Sequence, residues 1–234
     1  MQQRAILVGN SDGIGLATTR RLLVQGWSIT GLSRSESAIK NPAYDHRVVD
    51  VSDGTYFELI DKLARSGPLD LCIYFVGIGE ALDPLDMTNQ ARVFDVNLTA
   101  MVKTASAVVP AMVRSGHGHF IGLSSLGDEL ISAEAPSYFA SKAGFSSYLS
   151  GLGMALRPRG VYVTNIRFGF VDTKMAKSPY KPFMMSVEKA VDHVEYCIRR
   201  KPARYTAPRI AIPFVKCVKI ISKLAAVVTF SRHR

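Results

Sequence analysis

The sequence predicts one α/β domain built on a doubly wound parallel sheet, followed by an amphipathic helical extension. Short apolar runs rich in Val, Ile and Leu alternate with longer amphipathic segments, which is the pattern of parallel strands joined by crossover helices. The 234 residues are 47% hydrophobic and 21% charged, as expected for one folded domain of ordinary size. No repeat, linker or low-complexity tract divides the chain. We therefore expect a domain over residues 1–208 and an extension over residues 209–234.

The predicted strands are short runs of apolar and β-branched residues, bounded by turns that contain glycine or polar residues. The first of them follows directly on the N-terminal Met-Gln-Gln, and the fourth is the most apolar. In chain order the predicted strands are 4–8, 27–32, 46–50, 69–76, 119–123, 161–166 and 204–207.

The predicted helices carry apolar residues at helical spacing and are bounded by residues that start or stop helices. Gly26 ends the first helix, Gly67 and Pro68 end the second, and Gly116 ends the third. Pro136 lies in the first turn of the fourth, where proline is favoured. In chain order the predicted helices are 14–25, 56–64, 86–114, 136–156, 187–200 and, in the extension, 210–230.

Charge is divided unevenly along the chain. All 19 acidic residues lie at or before Glu195, whereas 10 of the 29 basic residues lie in 197–234, so residues 1–196 are neutral and residues 197–234 carry the net charge of +10. Nucleic-acid binding is typical of a basic face interleaved with aromatic residues, not of one basic and apolar terminal segment. We therefore expect no nucleic-acid partner.

Several features argue against export and against metal binding. Only four apolar residues precede the glycine-rich turn near the N-terminus, which is too few for a secretory signal. No run reaches the ~18 uninterrupted apolar residues of a membrane span. Cys72, Cys197 and Cys217 form no CxxC pair, which indicates a reducing compartment, and the histidines lack metal-ligand spacing. We expect a cytoplasmic protein with no metal site.

A glycine-rich loop lies between the first predicted strand and the first predicted helix. Glycines let the backbone approach a pyrophosphate closely, and the N-terminus of the following helix supplies free amide donors. A glycine turn without a ligand is the alternative, and Asp12 places a negative charge in this loop. The residues expected to bind a dinucleotide here are Gly9, Asn10, Ser11, Gly13, Ile14 and Gly15.

The second predicted strand is followed by Arg34, at the point where a dinucleotide fold selects its cofactor. A carboxylate there binds the ribose hydroxyls of NAD, whereas a cation binds the 2′-phosphate of NADP. Arg34 can form bidentate hydrogen bonds to a phosphate, and no acidic residue takes this place. We expect NADP(H) to be preferred over NAD(H), with a solvated surface arginine as the alternative.

Tyr138 and Lys142 are four residues apart in a predicted helix, so that both side chains project from one face. A tyrosine with an unperturbed pKa near ~10 is a weak acid-base group at neutral pH, and a neighbouring cation favours the phenolate and lowers that pKa. Ser125, after the fifth predicted strand, supplies a hydroxyl that can hold a carbonyl oxygen beside the phenol. A surface Tyr and Lys pair without catalytic use is the alternative.

Together and in this order, the glycine loop, Ser125 and the Tyr138–Lys142 pair resemble the single-domain short-chain dehydrogenases/reductases over about residues 4 to 208. The resemblance implies a Rossmann fold and direct hydride transfer between a nicotinamide and a carbonyl or alcohol carbon. It also implies further site residues: Asn97 as the helix asparagine that holds a water, Asp50 and Val51 beside the adenine, and Gly77, Gly169, Val171 and Thr173 along the cofactor. The chain departs from the family pattern at Val8, at 74–76 and at Phe168.

By the same resemblance, each catalytic residue has one role in reduction. Tyr138 protonates the alkoxide, Ser125 hydrogen-bonds the same oxygen, Lys142 holds the ribose, and Asn97 anchors the water that resupplies the proton. Residues 174–186 lie where the family's mobile lid covers the substrate, and their apolar side chains favour an apolar carbonyl compound or alcohol. The family also implies a homo-oligomer, either dimer or tetramer. A non-catalytic NADP(H)-binding sensor or scaffold is the alternative function.

The extension, residues 209–234, is predicted to form an amphipathic helix with more apolar surface than one domain needs to cover. Lys216, Lys219 and Lys223 are spaced three and four residues apart and would form one basic stripe on this helix. An anionic membrane surface and a partner subunit are the two candidates for covering it. Basic and apolar composition together favour the membrane, and hence a peripheral location.

Overall fold

Seven parallel strands form one sheet in the order β3-β2-β1-β4-β5-β6-β7 in the computed structural model. The structure describes residues 2–175 and 181–231, with side chains as far as residue 222. The predicted doubly wound α/β fold is confirmed. The strands are β1 (Arg4–Val8), β2 (Ser28–Ser33), β3 (Tyr44–Val48), β4 (Leu71–Tyr74), β5 (Gly118–Ser125), β6 (Val161–Phe168) and β7 (Arg204–Ala207).

Helices cover both faces of this sheet. A π-helical turn, Asp95–Thr99, lies between α3 and α4, and a 3-10 turn, Leu126–Glu129, follows β5. The helices are α1 (Gly13–Val24), α2 (Tyr56–Arg65), α3 (Thr88–Phe94), α4 (Ala100–Ser115), α5 (Pro136–Leu156), α6 (Val187–Arg200) and α7 (Ala211–Ser231).

The core consists of two layers, one on each face of the sheet. Successive strand residues point to opposite faces, so Ile6 and Val8 of β1 pack in the layer under α2, α4 and α5, whereas Ala5 and Leu7 pack in the layer under α1 and α6. All four side chains are fully buried. This double burial explains why the strands are continuous apolar runs instead of alternating patterns.

The largest boundary differences from the sequence prediction concern β3, β4, β5, β6 and the long helix. β3 lies two residues earlier than the predicted strand 46–50. β4 is shorter than the predicted strand 69–76, because its ladder with β1 ends at the pair Val8–Tyr74. β5 and β6 run further than predicted, to Ser125 and Phe168, since the ladder between them continues through polar residues at the carboxyl edge. The predicted helix 86–114 contains the π-helical turn, for which apolar spacing gives no signal.

The helical stretch Thr88–Ser115 is the one segment of the described residues that is long and apolar enough to cross a membrane. Half of its most apolar window is buried inside the domain, and Met101, Val108 and Met112 belong to the core layer under α4. A core helix meets the same criteria of length and composition, and this stretch packs as one.

Helix α7 presents two different faces. Ala211 is buried and Val215, Val218 and Ser222 are partly buried, whereas Pro213, Phe214, Lys216, Cys217, Ile220 and Ile221 are exposed. The predicted basic stripe is therefore divided: Lys216 is exposed, but Lys219 is half-buried and its Nζ lies 2.8 Å from Oε2 of Glu129. The side chain of Lys223 lies outside the described part of the chain. The outward face of α7 is thus largely apolar.

Candidate active site

The predicted site residues meet at the carboxyl edge of the sheet, where ligands of open parallel sheets bind. The glycine loop follows β1, Gly77 follows β4, Ser125 ends β5 and the segment 169–173 follows β6. These four strands are neighbours in the sheet, so segments distant in sequence come together at one edge.

The glycine loop needs glycine for two physical reasons. Gly9 and Gly13 have φ angles of 84° and 51°, a backbone conformation that side chains with a Cβ rarely adopt. At Gly15 a Cβ would lie 2.2 Å from the carbonyl oxygen of Gly9, so the loop could not close against α1. The Gly9 amide donates to Leu32 O at 2.7 Å and ties the loop to β2. The predicted loop geometry is present.

Asn10 lies beneath this loop and not at its open side. Its side chain is fully buried, and Nδ2 donates to Thr19 Oγ1 at 3.1 Å and to the Tyr44 hydroxyl at 2.9 Å. Gly31 of β2 makes room for this contact, because a Cβ there would lie 2.3 Å from Nδ2 of Asn10. A cofactor would therefore meet Asn10 through its backbone. Tyr44 is a loop-supporting residue that no local sequence pattern indicated.

Asp12 is the N-cap of α1 and is paired with Lys174. Its carboxylate accepts from the Gly13 amide at 2.8 Å and lies 2.8 Å from Nζ of Lys174. The hydrogen bond from Lys174, with a smaller contribution from the Gly13 amide, lowers the pKa of Asp12. The negative charge that the sequence places in the loop therefore has a cation beside it.

Arg34 stands after β2, exposed and facing Asp50. Its Nε lies 4.0 Å from Oδ2 of Asp50. Burial raises the pKa of Asp50, but hydrogen bonds from Ser52 and the charges of Arg34 and Arg92 outweigh burial and hold that pKa below its usual range. Arg92 is a second cation near this corner that the sequence did not single out. Val51 is buried in the core, so it could contact an adenine only through its backbone.

Ser125, Tyr138 and Lys142 form one cluster. Ser125 Oγ accepts from the Gly127 amide at 3.0 Å, and the Ser125 side chain lies near enough to the Tyr138 hydroxyl to lower the pKa of that phenol. Lys142 is buried, and its Nζ donates to Leu123 O at 3.0 Å. The three side chains that the sequence proposed as catalytic are thus held at the end of β5.

The protonation of this cluster differs from the sequence expectation. Burial raises the pKa of Tyr138, the hydrogen bond from Ser125 opposes this, and the charge of Asp128 adds to it. The expectation that Lys142 lowers this pKa is not met, because its ammonium donates to the Leu123 carbonyl instead. Burial lowers the pKa of Lys142 itself to about 8, although Asp128 opposes this shift. At neutral pH Tyr138 is a neutral phenol beside a charged lysine.

Asn97 lies in the π-helical turn and joins two parts of the site. Its Oδ1 accepts from the Ile78 amide at 2.8 Å, and its Nδ2 donates to Ile78 O and to Ser141 Oγ, both at 2.9 Å. Ser141 Oγ in turn donates to Tyr138 O at 2.8 Å. Because both N–H donors are engaged, the side chain fixes the chain after Gly77 against α5.

At residues 74–76, where the chain departs from the family pattern, larger side chains make contacts of their own. The buried Tyr74 hydroxyl donates to Val96 O in the π-helical turn at 2.6 Å. The side chain of Val76 packs over Gly9, where a Cβ would lie 2.7 Å from its Cγ2. These larger side chains therefore brace the π-helical turn and the glycine loop.

A buried carboxylate, Asp128, completes the network and was missed by sequence reasoning. Arg167 binds it with Nε, 2.9 and 2.7 Å from its two oxygens, and with Nη2. Ser146 Oγ donates to Asp128 at 2.5 Å and lies 2.8 Å from Ser124 Oγ. Ser146 is one helical turn beyond Lys142, so Asp128 lies behind the lysine. The spacing of Lys142 and Ser146 was the available sequence signal for this network. Nothing in the sequence, however, pairs Asp128 with Arg167 of β6.

The segment after β6 reaches the glycine loop. The Gly169 amide donates to Ala207 O at 2.9 Å, and Val171 is buried beside Met185. Thr173 Cγ2 lies 3.2 Å from the position of a Cβ on Gly13. Of the segment predicted to form a lid, residues 176–180, including Tyr180, lie outside the described residues. In the part of the chain that is described, no three His, Cys, Asp or Glu residues cluster as metal ligands would.

A glycine loop, a serine and a Tyr–Lys pair at the carboxyl edge of a doubly wound sheet define a class of oxidoreductases that use a nicotinamide cofactor. The sequence profile of the family described as short chain dehydrogenase matches residues 3–182. An uncharacterized oxidoreductase of Myxococcus xanthus is 30% identical over 225 residues, covering 89% of this chain and 89% of the relative. The chain belongs to the short-chain dehydrogenase family.

Two further comparisons concern the cofactor and the fold. The 2-dehydro-3-deoxy-L-rhamnonate dehydrogenase (NAD(+)) of a Sphingomonas species is 29% identical over 167 residues, covering 67% of each chain. The crystal structure of a short chain dehydrogenase from Burkholderia cenocepacia in complex with NADP aligns with a TM-score of 0.81 and 22% identity, covering 92% of this chain and 93% of that chain. The latter likeness is one of fold.

Proposed function

We propose that this protein is an NADP(H)-dependent carbonyl reductase or alcohol dehydrogenase that acts on an apolar substrate. The observation that carries the proposal is the placement of Ser125, Tyr138, Lys142 and Asn97 together at the end of β5. A hydroxyl and a neutral phenol directed to one point form a donor set for a carbonyl oxygen that becomes an alkoxide.

The absence of a side chain at Gly77 leaves open a space beside Lys142 and Asn97, and Gly77 is proposed to lie along the cofactor there. A Cβ there would lie 3.3 Å from Lys142 Nζ, 3.4 Å from Met175 Cε and 3.6 Å from Asn97 Oδ1, so a larger residue would fill this space. The glycine loop and the N-terminus of α1 would hold the pyrophosphate. We propose that the rest of the cofactor site is lined by Ser11, Ile14, Asp50, Gly169, Val171 and Thr173.

When bound, the cofactor supplies or accepts the hydride, and the chain's residues manage the oxygen and its proton. In reduction, Ser125 and Tyr138 hydrogen-bond the substrate oxygen, and Tyr138 delivers a proton to it. This phenol is protonated at neutral pH, as a donor must be, and burial raises its pKa further. Lys142 donates one N–H to Leu123 O and has two left for ribose hydroxyls. Since Asn97's amide donors are engaged, the proposed relay water would bind the backbone of the π-helical turn.

Arg34 supports the preference for NADP(H). It is exposed, and its guanidinium reaches only one carboxylate oxygen of Asp50, at 4.0 Å, so a 2′-phosphate could displace that weak contact. Among the similar proteins, the Sphingomonas dehydrogenase is named for NAD(+), whereas the Burkholderia structure contains NADP.

The remaining features of the proposal concern substrate, assembly and location. Met175, Phe183 and Met184 are exposed apolar residues of the segment beyond Thr173, which favours an apolar substrate. A homo-oligomer, dimer or tetramer, fits the family, and unpaired cysteines fit a cytoplasmic location.

The test is NADPH consumption with a panel of ketones and aldehydes, with Tyr138→Phe as the matched variant. We expect turnover by the natural protein, and a rate lower by about 10² to 10⁴ in the variant at unchanged NADPH affinity, because only the proton donor is removed. NADPH binding without turnover on any compound would favour the alternative, a non-catalytic sensor or scaffold. Equal rates in the two proteins would refute the role of Tyr138.

A further inference from the structure

The outward side of α7 and the nearby residues Phe183 and Met184 form one exposed apolar surface, named here the tail face. On α7 it contains Phe214, Cys217, Ile220 and Ile221, with Lys216 among them. Ile220 and Ile221 are 61% and 64% exposed although their neighbours on the inner side of the helix are covered. So many large apolar groups on one side of a helix need a partner that covers them.

The tail face lies on a helix that is anchored near the proposed active site. The rings of Phe183 and Phe214 lie 6.2 Å apart in an edge-to-face arrangement, which joins the segment after β6 to α7. Met175, earlier in the chain, has its Cε 3.4 Å from the position of a Cβ on Gly77. On the inner side of α7, Lys219 is paired with Glu129, four residues after Ser125. The helix is therefore anchored beside the site, with its apolar side facing away.

Charge decides which partner fits this surface. Residues 197–234 hold 10 basic residues and no acidic one. Glu129, the carboxylate that contacts α7, is already bound by Lys219, Arg167 and Arg204, so it does not offset the charge of Lys216. A second copy of this chain would present to the tail face either its neutral residues 1–196 or its equally basic residues 197–234. An anionic partner is favoured, and a lipid headgroup boundary accepts charged and apolar groups together without a matching shape.

We propose that the tail face docks on an anionic membrane surface, with the mouth of the active site beside it, so that the substrate is an apolar carbonyl compound dissolved in that membrane. The part that names the substrate rests on the proposed function. Lysine and arginine are attracted to the anionic headgroups, while Phe214, Ile220 and Ile221 enter the boundary between headgroups and acyl chains.

Sedimentation of the full-length protein with vesicles tests the docking. Vesicles of phosphatidylcholine mixed with phosphatidylserine should carry the protein down, and phosphatidylcholine alone should do so less, with salt weakening the binding. The double variant Ile220→Asp/Ile221→Asp should bind about a hundredfold more weakly, because two apolar anchors are lost. Lys216→Gln should bind roughly fivefold more weakly.

Two variants serve as matched controls. Val24→Asp changes another exposed apolar residue, on α1, and Lys40→Gln removes another exposed lysine. Both should bind vesicles as the natural protein does. Equal binding to the two kinds of vesicle, unchanged binding of the double variant, or no binding at all would overturn the proposal. An oligomer that the double variant dissolves, without vesicle binding, would assign the tail face to a second copy.

The substrate part is tested with two aldehydes of the same reactivity, butanal in water and dodecanal held in phosphatidylserine-containing vesicles. The double variant should keep its rate on butanal and lose about tenfold on dodecanal, since only access from the membrane changes. Equal losses on both would overturn the membrane route. If neither aldehyde is reduced by any form of the protein, the proposed function fails, whereas the sedimentation result still decides the docking.

Discussion

Lys219 Nζ lies 2.8 Å from Oε2 of Glu129, so an ion pair connects helix α7 to the turn that begins directly after Ser125. The two residues are 90 positions apart in the chain. Glu129 also accepts from Arg167 of β6 and Arg204 of β7, which makes it the point where α7, the sheet and the turn are held together. Contacts at the tail are thereby linked to the position of the proposed catalytic serine.

Replacing Lys219 with Met should destabilise the protein by about 0.5 to 1 kcal/mol, because the ion pair is half-exposed but shares its carboxylate with two arginines. For a domain of this size the midpoint of thermal unfolding should fall by roughly 1 to 4 °C. Lys216→Met is the matched control, since Lys216 is exposed on the same helix, and it should leave the midpoint unchanged. A similar fall in both variants would mean that the Glu129 contact contributes nothing.

The acid side of the stability profile should depend on Glu129. The hydrogen bond from Lys219, together with the charge of Arg167 and a hydrogen bond from Arg204, lowers the pKa of Glu129 from 4.5 to about 2, against burial. A carboxylate with a lowered folded-state pKa contributes stability that is complete above pH 4.5 and is lost as the pH falls toward 2. Glu129→Gln lacks this carboxylate. Across this pH window its free energy of unfolding should therefore fall by about 1 to 3 kcal/mol less than that of the natural protein.

That difference is measured by urea unfolding at several pH values, with Glu36→Gln as the control that removes an exposed carboxylate. Parallel pH profiles for the natural protein and Glu129→Gln would contradict the role of Glu129.

Lys142→Met should stabilise the protein near pH 7 while removing activity. Burial lowers the pKa of Lys142 from 10.5 to about 8, so between these values the unfolded chain binds more protons and stability rises with pH. Below pH 8 the buried charge costs up to about 3 kcal/mol, partly offset by the hydrogen bond to Leu123 O. At pH 7 the free energy of unfolding of the variant should be about 1 to 3 kcal/mol higher than that of the natural protein. It should not show the rise in stability between pH 8 and 10.5. Unfolding experiments at pH 7 and pH 10 measure the gain in stability and the missing rise. A variant that is less stable than the natural protein at pH 7 would contradict this account.

Arg34→Asp should weaken NADPH binding by about 1 to 3 kcal/mol and leave NADH binding much less affected, because a contact to the 2′-phosphate becomes a repulsion. Titration with both cofactors measures the preference. Arg47→Asp is the control: Arg47 is an exposed arginine of the neighbouring strand that pairs with Asp45. An unchanged ratio of NADPH to NADH affinity in Arg34→Asp would assign Arg34 to the surface.

Local patterns predicted most of the fold and the core of the candidate site. The helix boundaries of α5 and α6 agree with the apolar spacing and with Pro136 at the first turn, because helix start and stop signals lie within a few residues of the boundary. The π-helical turn was not predictable in this way, since it replaces one turn without changing the apolar spacing around it.

The sequence by itself determined where the strands and helices lie, where the glycine loop opens, and that Tyr138 and Lys142 share a helix face, because these depend on residues within one or two turns of each other. The tertiary structure alone decided that Lys219 faces Glu129, that Arg167 holds Asp128 from 39 positions away, and that burial raises the pKa of Tyr138. The physical reason is that buried charges and pKa values depend on which distant segments the sheet order brings into contact. The spacing of residues along the chain does not reveal the order of the strands in the sheet.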